Sequence, residues 1–133
     1  MQTGEEPVAA AVIVHEGRVL LILRAEAEAD LRWQFPAGKQ RGGESAEGTA
    51  VREAQEETGV TVRATRHLGE RVHPATHRSI TYTACEVISG TAHAAARAEV
   101  AEVAWCTRAE ARTRVPYGFY GPVEIFLDSV LIP

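Results

Sequence analysis

A chain of 133 residues, 45% hydrophobic and 24% charged, has room for one genuine core but not comfortably for two, so a single domain over residues 1–133 is expected. No apolar run approaches the roughly twenty residues that cross a bilayer, and Met1 to Glu6 is acidic without a signal-peptide core, so the expectation is a cytoplasmic protein with no membrane partner. A net charge of −4 argues against gripping a nucleic-acid polymer by bulk electrostatics, yet suits a small polyphosphate bridged by cations that reverse the local field.

Along the chain, Val8 to Val14 and Arg18 to Arg24 are β-rich runs separated by His15-Glu16-Gly17, which reads as a hairpin. Ala25 to Arg32 is polar and predicts a loop or a short turn of helix. Trp33-Gln34-Phe35 is a short extended segment ended by Pro36-Ala37-Gly38. Ser45 as N-cap and Gly59 as C-cap bracket a helix over Ala46–Thr58. A strand over Val60 to Leu68, a loop at His73 to Arg78 and a strand over Ile80 to Ile88 follow. Ala94 to Glu99 reads as a loop and Val100 to Trp105 as a further strand. Thr107-Arg108-Ala109-Glu110 is a capping-box pattern opening a short helix, because hydroxyl and carboxylate each satisfy a free backbone donor. Pro122 starts a last helix with Val123, Phe126, Leu127, Val130 and Leu131 as its apolar stripe. Cys85 and Cys106 fall in strand-like stretches and are expected as reduced core thiols. Strands with two main helices indicate a layered α/β domain.

The most informative stretch runs from Gly38 to Val60. It reads Gly38, five residues, Glu44, seven residues, Arg52-Glu53-Ala54, one residue, Glu56-Glu57, one residue, Gly59-Val60. On the predicted helix Glu53, Glu56 and Glu57 stand at i, i+3 and i+4, so their carboxylates share one face, while Val51, Ala54 and Thr58 form the neighbouring stripe that packs inward. Like charges at these spacings oppose the helix by a few tenths of a kcal/mol per pair, so a compensating cation is expected. Hard divalent ions take carboxylate oxygens, and Mg²⁺ is commonly held by one or two carboxylates plus substrate phosphates. Arg52 is next to Glu56 around the helix and can orient a carboxylate with its planar fork. The plain alternative is a solvated acidic helix face.

This pattern resembles the Nudix box of the MutT-like Nudix hydrolases, with every glycine, glutamate and arginine present and Ala54 standing where a larger aliphatic is usual. The resemblance implies an α/β/α sandwich with a mixed β-sheet and Mg²⁺- or Mn²⁺-dependent hydrolysis of a diphosphate linkage. Carried over by position, it implies Glu53 and Glu57 as metal ligands, Glu56 as a ligand or the base that prepares water, Gly38 as a carbonyl donor to the metal, and Glu44 in a structural or outer role. Arg52 joins Glu53, Glu56 and Glu57 as the catalytic set. A further carboxylate often precedes the final strand in such enzymes, and Glu99 and Glu102 are the candidates.

Substrate contacts are less determined. Arg24, Lys39 and Arg41 are candidates for phosphate, or plain surface charges. Trp33 and Phe35 alternate about Gln34 and either flank a base or pack the core. His73 and His77 lie four apart, but Pro74 and the adjoining strands argue against the helix that would align them on zinc, leaving a substrate loop or exposed histidines. Tyr117-Gly118-Phe119-Tyr120-Gly121 either lines a pocket or is a packed connector. The expected partner is a small nucleoside diphosphate derivative; a homodimer is possible. Within one chemistry the readings are cleavage of a nucleoside triphosphate or modified nucleotide to monophosphate and pyrophosphate, or of ADP-ribose or another nucleotide sugar. A module that senses a nucleotide without cleaving it stands outside that chemistry.

Overall fold

The computed structural model describes residues 6–28 and 31–133. Met1 to Glu5 of the acidic N-terminal stretch, and Ala29-Asp30 within the predicted loop, lie outside the described residues. Strands β1 (Val8–His15) and β2 (Arg18–Glu28) are joined by the expected tight turn, and β3 (Leu31–Gln34) and β4 (Ala37–Lys39) follow. Helix α1 (Ala46–Thr58) leads to β5 (Thr61–Val72), β6 (Ser79–Ser89) and β7 (Val100–Cys106), then α2 (Arg108–Arg114) and α3 (Gly121–Val130).

The seven strands make one mixed sheet, ordered β3-β2-β1-β6-β5, with β4 on β1 and β7 on β2. β1 and β6 are parallel; the other pairs are antiparallel. β1 and β2 pair only beside their turn, at Val14↔Val19 and His15↔Arg18, and then part. The opening between them is filled by β3, which pairs with β2, and β4, which pairs with Val8, Ala9 and Ala10.

Strand alternation gives each face of this sheet its own core. On one face Ala11, Ile13, Leu20 and Cys85 pack on Ala50 and Ala54 of α1. On the other, Ala10, Val12, Leu21, Tyr82 and Ala84 pack on Ala111 of α2 and on Val123 and Leu127 of α3. Helices therefore cover both faces, giving the α/β/α layering expected. The capping box of α2 is complete: Glu110 N donates to Thr107 Oγ1 at 3.2 Å and Thr107 N to Glu110 Oε1 at 2.8 Å.

Several expectations are corrected. Ala25 to Arg32 is strand rather than loop or helix as far as it is described, because β2 runs on to Glu28 and β3 starts at Leu31. Ala and Glu are poor strand formers, but Ala25, Glu26 and Ala27 are exposed, where pairing with β3 decides the conformation. β5 continues past Leu68 to Val72 across a register shift at Gly69, whose φ of 133° is open to glycine and costly for other residues. In α3, Val123 and Leu127 are buried, followed by Leu131, but Val130 is 37% exposed at the flank of the stripe.

Cys85 and Cys106 are free and buried in the two different cores, on opposite faces of the sheet. Burial pushes the Cys85 thiol up to about 12, with Glu47 adding to the shift. Against an ordinary thiol near 9 this leaves ~10³-fold less thiolate at neutral pH. Native protein at pH 8 is therefore expected to leave Cys85 unlabelled by iodoacetamide, whereas urea-unfolded protein alkylates fully; equal labelling rates in the two states would contradict the packing. Among the described residues, no helix is long and apolar enough to cross a membrane.

Candidate active site

Helix α1 starts and stops where the capping chemistry dictates. Ser45 is extended and its hydroxyl accepts from Gly48 N at 3.0 Å; Gly59, at φ 73°, turns the chain left-handed and donates to Gln55 O at 2.9 Å. Ala50, Ala54, Thr49 and Thr58 are buried and Val51 is half-buried, so the inward stripe includes Ala50 besides the residues expected. This packing turns the adjoining flank of the helix toward β4, where its carboxylates gather.

Arg52 organises that side. Its Nε and Nη2 donate to the two oxygens of Glu44 at 2.7 and 2.9 Å, a bidentate pair. Nη1 donates to Glu53 at 3.0 Å and to Glu56 at 3.2 Å, and Nη2 also reaches Lys39 O at 3.1 Å. Glu44 further accepts from Thr49 Oγ1 at 2.6 Å and from Arg41 N at 3.1 Å. The Arg52 guanidinium, with help from the Thr49 hydroxyl, holds the Glu44 carboxyl well below the usual carboxylate range. Glu44 thus anchors the arginine, which in turn tethers Glu53 and Glu56. Sequence spacing pointed to the Arg52–Glu56 neighbourhood; the stronger bond to Glu44 crosses from loop to helix and needed the fold to appear.

Glu57 is buried, and its Oε1 accepts from Ala37 N of β4 at 3.0 Å. Desolvation raises its carboxyl to about 8 against the opposing Ala37 hydrogen bond; Glu53 and Glu99 push the same way and Arg24 opposes. Glu53 is raised as well, first by burial, with Arg52 opposing and Glu56 and Glu99 adding. It lies so close to β4 that a Cβ built on Gly38 would meet its Oε2 at 1.9 Å. Glycine at 38 is what lets helix and strand approach. Glu56 is more open, with 46% of its side chain exposed, and Arg41 Nη2 stands 3.8 Å from it.

The two later glutamates separate. Glu99 N is turned into the loop before β7, and its carbonyl accepts from Ala25 N at 2.8 Å beside Arg24; its charge acts on both Glu53 and Glu57. Glu102 lies two positions into β7, opposite Leu23, and contributes to neither shift. Among the described residues no group of three or more His, Cys, Asp or Glu side chains is arranged to hold a metal ion by itself. Two desolvated carboxylates and a more open third are oxygen donors of the kind a hard cation takes when it shares its coordination with water or phosphate.

Across β4 from these carboxylates lies a cavity of 690 Å³. Arg24, Gly38 and Lys39 border it at the carboxylate end, and Trp33, the hairpin loop at His73 to Thr76 and the segment Tyr117 to Tyr120 close it elsewhere. The three stretches that sequence left ambiguous therefore converge on one space. Trp33 is half-buried with Arg114 5.0 Å over its ring, whereas Phe35 is core, stacked on Phe119 at 4.9 Å and edge-on to Tyr82. Tyr117 is 71% exposed at the mouth. His73 is engaged within its own turn: its Nδ1 accepts from Ala75 N at 3.1 Å and, more weakly, from Thr76 N. Missed by sequence reasoning was Arg108, taken only as part of a cap; it is buried, bonds Asp128 at 2.7 Å and Glu124, and lies 6.0 Å from the Phe119 ring, tying α2 and α3 to the cavity wall. Its signal would have been a basic residue facing Glu124 and Asp128 on the last helix.

A family model described as NUDIX domain matches residues 5–122. Among solved structures, the fold is similar to a MutT NUDIX hydrolase from Burkholderia pseudomallei, with TM-score 0.66 and 25% identity over 95% of this chain and 99% of that one. An Ap4A hydrolase from C. elegans gives 0.71 at 20% identity, covering 92% and 93%; an ADP-ribose pyrophosphatase from Streptococcus suis 89-1591 gives 0.63 at 21%, covering 77% and 73%. No curated protein sequence matches the chain.

Proposed function

Because the chain belongs to the NUDIX domain family, and is a hydrolase of phosphorus-containing acid anhydrides, we propose that it is a Mg²⁺- or Mn²⁺-dependent pyrophosphohydrolase. Its substrate is a nucleoside triphosphate or modified nucleotide, released as monophosphate and pyrophosphate. The observation that carries this reading is the pair of desolvated carboxylates that meet β4, Glu53 packed against Gly38 and Glu57 bonded to Ala37 N, with an aromatic and cationic cavity beginning on the other side of that strand. Glu53, Glu57 and the Gly38 carbonyl would hold the ion, which supplies charge neutralisation and polarises a phosphoryl oxygen. Phosphoryl transfer needs that neutralisation and in-line positioning more than it needs a reactive side chain. Glu56, the most open of the three, would accept a proton from the attacking water, with Arg52 bonded to it to hold its direction. Arg24 and Lys39 border the cavity where the diphosphate would lie.

Nucleoside triphosphates, ADP-ribose and dinucleoside polyphosphates incubated with Mg²⁺ or Mn²⁺, with phosphate read before and after added pyrophosphatase, test the reading. Triphosphates should yield phosphate only after pyrophosphatase is added. Cleavage of ADP-ribose alone would favour the nucleotide-sugar branch named for the S. suis neighbour, and tight binding with no cleavage would make the chain a sensor. Alanine at Trp33, Tyr117, Phe119 or Tyr120 is expected, in at least one case, to reorder the substrates by ten- to a hundredfold, since stacking on a base is worth about 1–3 kcal/mol. An unaltered ranking in all four would move recognition elsewhere.

Arg52→Lys keeps a cation but loses the fork that spans Glu44, Glu53 and Glu56. The expected outcome is a kcat about 10- to 100-fold lower with KM little changed, because a mis-aimed carboxylate acts in the transition state. A wild-type kcat would make Arg52 a structural cation only.

A further inference from the structure

Arg71 is absorbed by neither the carboxylate cluster nor the core, and it stands in the cavity wall. Sheet pairing sets it in one row with Ile80, Val8 and Lys39, through Arg71↔Ile80, Val8↔Ile80 and Val8↔Lys39. Paired residues share a face, and all four line the cavity. Three strand spacings separate the backbones of Arg71 and Lys39 by about 14 Å. Arg71 therefore stands across the cavity floor from Lys39 of the box.

Its guanidinium is already held in place. Nε donates to Tyr82 Oη at 3.3 Å, and the guanidinium carbon lies 5.8 Å from the Tyr82 ring centre and 5.3 Å from that of Tyr120. Those two rings stack at 5.5 Å, and Tyr120 is itself tethered by its hydroxyl to Glu70 O. Among the described residues none accepts from Nη1 or Nη2 of Arg71. A stacked, oriented fork with its terminal donors uncommitted matches an oxyanion. The charge of the cavity agrees: Arg24, Lys39, Arg71 and Arg78 line it, and no Asp or Glu does among the described residues, although the chain as a whole is at −4.

We propose that Arg71 binds a second phosphate of the substrate, remote from the scissile anhydride, so that the preferred substrates carry phosphate at both ends of the nucleoside or along an extended polyphosphate chain. This rests on the pyrophosphohydrolase reading for its meaning, but its test does not need turnover. Calorimetric titration without metal compares AMP, adenosine 3′,5′-bisphosphate and adenosine 5′-tetraphosphate as ligands of wild type and Arg71→Gln. Wild type should bind the bisphosphate, the tetraphosphate or both at least about tenfold more tightly than AMP. Arg71→Gln should lose that advantage while holding AMP within about twofold, and the ligand that loses it identifies the source of the phosphate. Arg71→Lys, which preserves the charge and guards against a misfolded glutamine variant, should retain part of it. The proposal is overturned if neither ligand outcompetes AMP on wild type, or if Arg71→Gln weakens all three equally. An absence of hydrolysis with the binding pattern intact would sink the catalytic reading alone.

Discussion

Glu57→Gln is expected to lower turnover by about 10³-fold while the protein stays folded. An amide keeps the shape and still accepts from Ala37 N, but it lacks the charge that, on the proposed reading, would hold a divalent ion, whose contribution to the transition state is several kcal/mol. The same residue predicts how metal binding responds to pH. Burial keeps the Glu57 carboxyl protonated to about 8 in metal-free protein, so the ion must displace a proton, and Mg²⁺ affinity should rise with pH up to about 8. For stability the sign is set by a folded value raised above the ordinary 4.5: the contribution of Glu57 is full below about 4.5 and is lost as pH rises through about 8. Metal-free protein should therefore lose melting temperature across that window, Mg²⁺ should restore it, and Glu57→Gln should flatten both trends. Thermal scans from pH 5 to 9 with and without Mg²⁺ decide the matter; a variant that turns over like wild type, or melts with the same pH profile, would remove Glu57 from the site.

Gly38→Ala separates geometry from stability. The added methyl would sit 1.9 Å from Glu53 Oε2 and 2.2 Å from Cδ, so the carboxylate must move. What it meets is the end of a flexible side chain rather than backbone, so the melting temperature should change by only a few degrees. Displacing by an ångström or more an oxygen proposed to bind the metal is another matter, and turnover should fall by about 10²-fold or more. Calorimetry beside steady-state kinetics reads both. A large loss of stability, or activity within a few fold of wild type, would show that Glu53 is not held against β4 as described.

The helix was legible in the chain because its signals are local: Ser45, Gly59 and the i, i+3, i+4 glutamates lie within one element, and Ala46–Thr58 appears with the bounds that capping implies. The continuous apolar runs of β1 and β2 were equally readable. What escaped was non-local. β4 is three residues long and exists because β1 and β2 part; no periodicity can show in so short a run. The Ala-Glu alternation of Ala25 to Glu28 has weak strand propensity and takes its conformation from a partner strand. Glu99 and Glu102 are indistinguishable by residue type, and only the pairing of β7 with β2 at Arg24↔Val100 sets one of them within electrostatic reach of Glu53 and Glu57. The cavity, likewise, is assembled from three stretches far apart in sequence.

β4 meets α1 almost wholly with its main chain: Ala37 N donates to Glu57, Lys39 O accepts from Arg52, and Gly38 has no side chain to present. Residues 37 and 39 turn their side chains the other way, into the cavity. The strand is thus a two-sided adaptor whose grip on the carboxylates is indifferent to the side chains at 37 and 39, provided 38 stays glycine and 37 keeps the N–H that proline lacks. Such a wall lets substrate preference drift by ordinary point mutation at those two positions while the hydrolytic machinery is inherited unchanged, and libraries randomised at 37 and 39 should be rich in folded, metal-responsive variants with altered substrate choice.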